Sequence, residues 1–139
     1  MIIGIDPDID KSGVAVKEDG EYTLYSLSFW DLFEFLSQCR PKLVVIEGGW
    51  LNVKSNFRFA KSTSIASRMG KNVGENHSVG KKIVEMCKYL EIDHKVVKPL
   101  QKVWKGKDGK ITHSEVVKHF KINKKKTNQE ERDALLLII

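Results

Sequence analysis

Two short apolar runs that each end on a carboxylate constrain this chain more than any other feature. Met1 to Asp6 reads MIIGID and Leu43 to Glu47 reads LVVIE. An uninterrupted apolar run of this length suits a strand covered on both faces, as interior parallel strands are. If the two strands are parallel neighbours, their ends lie ~4.8 Å apart and Asp6 and Glu47 project into one crevice. Two carboxylates that close resist joint ionisation unless a cation intervenes or they share a proton.

The elements around these runs predict an α/β fold. Gly13 to Lys17 and Glu21 to Ser26 read as two more strands, joined by the hairpin signal Asp19-Gly20. Ser28 caps a helix whose face carries Phe29, Leu32, Phe33, Leu36 and Cys39, and Arg40-Pro41 stops it. Residues 48–64 lack a clear period and read as a loop. A long helix follows, marked by Val79, Ile83, Met86, Cys87 and Leu90 at helical spacing. His94 to Val97 makes a fifth strand. Two capping boxes, Thr112 with Glu115 and Thr127 with Glu130, open two last helices, the second running to Ile139. The order predicts one mixed five-stranded sheet, three antiparallel strands and then parallel ones, flanked by helices in a single domain over residues 1–139.

Charge is unevenly spread. The net charge is +6, yet residues 95–126 hold eleven lysines against Asp108 and Glu115, and residues 51–82 hold seven cations against Glu75 alone. The remainder is net negative. That division suggests a polyanion held near clustered carboxylates, although a lysine-rich surface can also be merely solvated. No apolar run approaches the ~20 residues that span a bilayer, and Met1 leads straight into a strand without signal-peptide features. A cytoplasmic protein without membrane partners is therefore expected. Cys39 and Cys87 fall on apolar helix stripes and read as free thiols.

The last helix adds acids. Glu130 and Asp133 are i, i+3 neighbours on one face, while Glu131 points elsewhere. Asp133 directly precedes Ala134-Leu135-Leu136-Leu137, an unusual place for an acid unless something compensates it. Up to four carboxylates can thus surround one site, enough to hold two Mg²⁺ ions through oxygen ligands.

At these residues the chain resembles the RuvC family of Holliday-junction resolvases, which have a ribonuclease H-like fold. IIGIDPDIDKSGVAV is similar to the family's first strand, Asp-Pro turn and second strand. LVVIEGGW resembles its second acidic motif, and NQEERDALLLII its closing helix. MGKNVGENHSVGKKIVEM is similar to its central glycine-bearing helix. The resemblance implies a crossover-junction endonuclease with Asp6, Glu47, Glu130 and Asp133 as catalytic ligands of two Mg²⁺ ions, Mn²⁺ being able to substitute. It also implies a homodimer that nicks two strands of a four-way junction symmetrically, leaving 5′-phosphates, without a nucleotide cofactor. Trp50 stands where the family places an aromatic, either to stack on a base or to anchor its loop. Lys54 and Arg58, then Lys98, Lys102, Lys105, Lys107 and Lys110, are expected to contact DNA phosphates, and His113 falls where the family often carries a basic residue. Asp8 replaces the family's usual Gly, at a position expected to need an unusual backbone angle.

Three other readings remain open from the sequence. They are a nuclease for other branched DNA or for RNA–DNA hybrids, a non-catalytic junction-binding protein, and an actin-like ATPase. For the last the chain is too short.

Overall fold

The computed structural model describes residues 1–52 and 63–139. The elements are β1 (Ile2–Asp6), β2 (Ser12–Glu18), β3 (Glu21–Leu27), α1 (Phe29–Cys39), β4 (Leu43–Glu47), α2 (Thr63–Tyr89), β5 (His94–Val97), α3 (His113–Phe120) and α4 (Gln129–Leu136). The strands form one sheet in the order β3-β2-β1-β4-β5. β1, β2 and β3 are antiparallel, and β1, β4 and β5 run parallel. Asp19 and Gly20 turn the β2–β3 hairpin with φ of 49° and 84°, the pair of positive angles that matches the twist of the strands.

Alternation along the strands divides the core. Ile3, Ile5, Val44 and Ile46 face Leu32 and Leu36 of α1 and Ile83, Met86 and Cys87 of α2. Ala15, Leu24 and Val45 face the other way, onto Val116 of α3 and Ala134 and Leu135 of α4. Each fully buried aliphatic side chain contributes ~1.5–3 kcal/mol, so both faces are strongly specified. Asp6 follows Gly4 and Glu47 follows Val45 at the strand period, so both acids belong to the α4 face.

Gly4 and Gly13 seat α4. A Cβ at position 4 would collide with the Ala134 carbonyl oxygen, and one at position 13 with that of Glu130. Only glycine lets the helix backbone approach the sheet this closely. At Gly74, by contrast, an added Cβ would meet nothing within 4 Å among the described residues.

Three expectations need correction. The capping box of α4 is Asn128 with Glu131, not Thr127 with Glu130. Buried Thr127 is already engaged by the His113 ring and the Arg132 guanidinium, so the cap moves one residue on and Glu130 is left free of it. Glu131 is buried and ion-paired to Lys124 at 2.8 Å. Secondly, α4 stops at Leu136 rather than Ile139, because the Leu137 and Ile138 amides tighten onto the Ala134 and Leu135 carbonyls. Thirdly, Asp8 has no positive φ; its carboxylate accepts the Asp10 amide and its own amide donates to Ser12 Oγ. The Thr112–Glu115 box and the Ser28 cap stand as expected. Cys39 and Cys87 are free thiols. No described helix is long and apolar enough to cross a membrane.

Candidate active site

β1 and β4 are parallel neighbours in register, Ile5 beside Ile46, which brings the next residues, Asp6 and Glu47, side by side at the carboxyl end of the sheet. α4 crosses the same face and delivers Asp133. These three acids, from three elements, line one cavity of about 530 Å³.

Their electrostatics follow from crowding. Burial, then the charges of Glu47, Asp133, Glu130 and Asp8, push the Asp6 carboxyl up to about 9. Glu47 is also raised, by burial first and then by Asp133, while Lys102 opposes the shift. Both carboxyls are raised together, so the two titrate as a coupled pair and without a cation they resist joint ionisation.

A ring of carboxylate oxygens is the donor set that hard divalent cations take, so the residues suit Mg²⁺ chemically. Among the described residues, however, no three His, Cys, Asp or Glu side chains are already arranged to hold one ion. Asp133 is already engaged: Gln129 Nε2 donates to its Oδ1 at 2.7 Å, and Arg132 donates to Gln129 Oε1 at 2.9 Å. Glu130 acts on Asp6 through its charge but does not line the cavity.

The lysine-rich segment divides. Lys102 and Lys110 line the cavity, with Trp104 between them in sequence. Lys98, Lys105 and Lys107 lie outside it. Glu115 ties the segment down by accepting the Lys105 and Thr112 amides, at 3.1 and 2.9 Å. His113 is also outside the lining, its Nδ1 3.0 Å from Thr127 Oγ1. Lys54 and Arg58 fall outside the described residues. Trp50 is half-buried against the α1/α2 core, fitted to the notch at Gly80, as a loop anchor would be.

Two lining residues carry no obvious sequence signal, Asn76 and His77 of α2. Asn76 Oδ1 accepts the Ile9 amide at 3.0 Å, which fastens the loop after Asp6 to α2. A polar pair inside a polar helical stretch reads as solvated surface until the tertiary contact is known.

No family model matches the sequence, and no curated protein matches it. Among solved structures, the chain is similar to RuvC of T. thermophilus in complex with a Holliday-junction substrate, at 17% identity and a TM-score of 0.55 over 98% of this chain and 88% of that one. It is similar to the fowlpox virus resolvase in complex with its substrate Holliday-junction DNA, at 15% identity and a TM-score of 0.56 over 99% and 94%. The sheet order, the helix placement and these likenesses agree: the chain has the ribonuclease H-like fold of the RuvC-type resolvases.

Proposed function

We propose that the chain is a divalent-metal-dependent endonuclease that resolves four-way DNA junctions by paired symmetric nicks, working as a homodimer. The observation that carries this reading is the single cavity shared by Asp6, Glu47 and Asp133 with Lys102 and Lys110. Carboxylates alone would repel a phosphodiester. Beside lysines, and with cations bound, they become a site for one. Two junction-bound structures of the same fold support the choice of substrate.

Asp6, Glu47 and Asp133 would hold Mg²⁺, with Glu130 adding negative charge or a further ligand. When bound, such ions supply activation of water and charge stabilisation at the leaving 3′ oxygen, giving a 5′-phosphate. Lys102 and Lys110 draw the DNA backbone into the cavity and oppose the charge that builds on the phosphate. Lys102 also offsets the negative field at Glu47. The outlying Lys98, Lys105 and Lys107 would meet phosphates farther along the arms, and Trp50 holds the loop after Glu47.

The test offers the purified protein a four-way junction, a flap and an RNA–DNA hybrid, each with Mg²⁺ or Mn²⁺. Paired nicks at symmetric positions of the junction are expected, and they should disappear in Asp6→Asn while junction binding persists. Preferential cutting of the hybrid would replace the junction reading with a ribonuclease H activity. Normal cutting by Asp6→Asn would refute the site itself.

A further inference from the structure

We infer that His77 of α2 is a DNA-contacting residue of the cleavage cavity, donating a hydrogen bond to a phosphate or base of the strand being cut. This rests on the nuclease reading above and extends it to an element that the acidic motifs do not touch.

The chain has four histidines, and three are engaged elsewhere. His94 Nδ1 lies 2.9 Å from the Ile92 carbonyl, and His113 Nδ1 lies 3.0 Å from Thr127 Oγ1. His119 is exposed, with ring contacts to Trp104 and Phe120. His77 alone lines the cavity of Asp6 and Glu47. Its ring nitrogens have no hydrogen-bond partner among the described residues. No partnerless side-chain nitrogen or oxygen is buried among those residues either, so both nitrogens remain open to solvent.

Packing, not hydrogen bonding, fixes the ring. Its neighbour is Trp50, edge to face at 6.2 Å between centroids and 71° between planes. Trp50 is itself lodged in the space that the missing Cβ of Gly80 leaves. A Cβ on Gly49 would stand 2.7 Å from His77 Nε2, so the imidazole lies over the turn that follows Glu47. Asn76, one residue earlier, holds the loop that follows Asp6. A half-buried side chain packed against an aromatic ring at the wall of a cavity, with its polar atoms unspent, is how a ligand-contacting group is built. Either neutral tautomer keeps one N–H, so the contact does not depend on protonation. With Lys102 and Lys110 arriving from the loop before α3, His77 gives the strand a second point of attachment, on α2.

The experiment compares wild type with His77→Phe, which retains a ring against Trp50 but no donor, and His77→Gln, which retains a donor. Junction affinity is measured in Ca²⁺ and single-turnover cleavage in Mg²⁺, with thermal unfolding as the control for folding. Losing a hydrogen bond to a charged group lowers affinity or rate by roughly ten- to a hundredfold. That loss is expected in His77→Phe at unchanged thermal stability, with His77→Gln recovering most of it. If His77→Phe binds and cuts like wild type, His77 only packs and the inference fails. If the wild type binds junctions without cutting them, the nuclease reading fails alone, and the affinity comparison still decides His77. A wild type that binds no branched DNA overturns both.

Discussion

The four acids belong to two mechanically different pairs. Asp6 and Glu47 sit on adjacent parallel strands whose register is set by the hydrogen-bond ladder and by apolar residues buried on both faces. Neither can withdraw from the other without breaking the sheet. Glu130 and Asp133 ride on α4, whose position depends on two glycine notches, and Asp133 is held by a side-chain amide rather than by backbone. Burial first, and then the neighbouring charges led by Glu47, hold the Asp6 carboxyl at about 9, whereas Asp133 is tied only by a side-chain hydrogen bond. On the proposed reading, the fixed pair creates the demand for a cation and the adjustable pair closes around it.

Neutralising the fixed pair should have the largest effect. Asp6→Asn is expected to lower cleavage on the order of a thousandfold and, without metal, to make the protein more stable. The sign follows from linkage. Asp6 ionises near 3.8 when unfolded and near 9 when folded, so between those values the folded chain keeps a proton that the unfolded chain releases. Stability from this group is complete below about 4 and is lost as pH rises towards 9. Asn has no proton to release, so the variant should gain ~1–3 kcal/mol over wild type near neutral pH, after allowance for relaxation and water entry. Urea unfolding in chelator at pH 5, 7 and 9 measures it. Parallel pH profiles for the two proteins would show that Asp6 is not stressed.

Lifting the helix pair off the sheet comes next. Gly13→Ala places a Cβ against the Glu130 carbonyl and should destabilise the fold by roughly 1–3 kcal/mol, the usual result of overpacking. It should also weaken Mg²⁺ binding, because α4 shifts while Asp6 and Glu47 stay. Gly74→Ala is the control: it lies in α2 with nothing within 4 Å of an added Cβ among the described residues and should be neutral or stabilising by up to ~1 kcal/mol. Calorimetric metal titration beside equilibrium unfolding separates the two glycines. Equal behaviour would mean that α4 is not seated by Gly13.

The fixed pair was legible in the sequence because a strand repeats every two residues, so an acid ending an apolar run has a predictable neighbour and face. Asp133 was legible for a similar reason, at the i, i+3 spacing from Glu130. What escaped was set by tertiary contacts. Thr127 and Asn128 can each cap a helix, and the choice fell to Asn128 because His113 and Arg132 claim the threonine hydroxyl. Five lysines of one loop looked alike, yet a turn at Lys107–Gly109 and the tether at Glu115 bring only Lys102 and Lys110 to the cavity. Asn76 and His77 fall inside the stretch similar to the family's central helix but carried no signal of their own, since their helix face acquires meaning only where it meets the loops after Asp6 and Glu47.

The smallest effect is the one that tests whether the helix pair is truly adjustable. Gln129 occupies Asp133 Oδ1 while Arg132 holds the amide in place, so Gln129→Ala frees that oxygen and leaves the backbone untouched. A net hydrogen bond of this kind amounts to about 0.5–1 kcal/mol. If Asp133 must leave Gln129 to reach a cation, the Mg²⁺ concentration for half-maximal cleavage should fall by roughly two- to fivefold at a nearly unchanged maximal rate. A rise would carry the opposite meaning: Gln129 would then be holding Asp133 in its ligating position, and both pairs would be equally fixed, one by strands and the other by a side-chain relay.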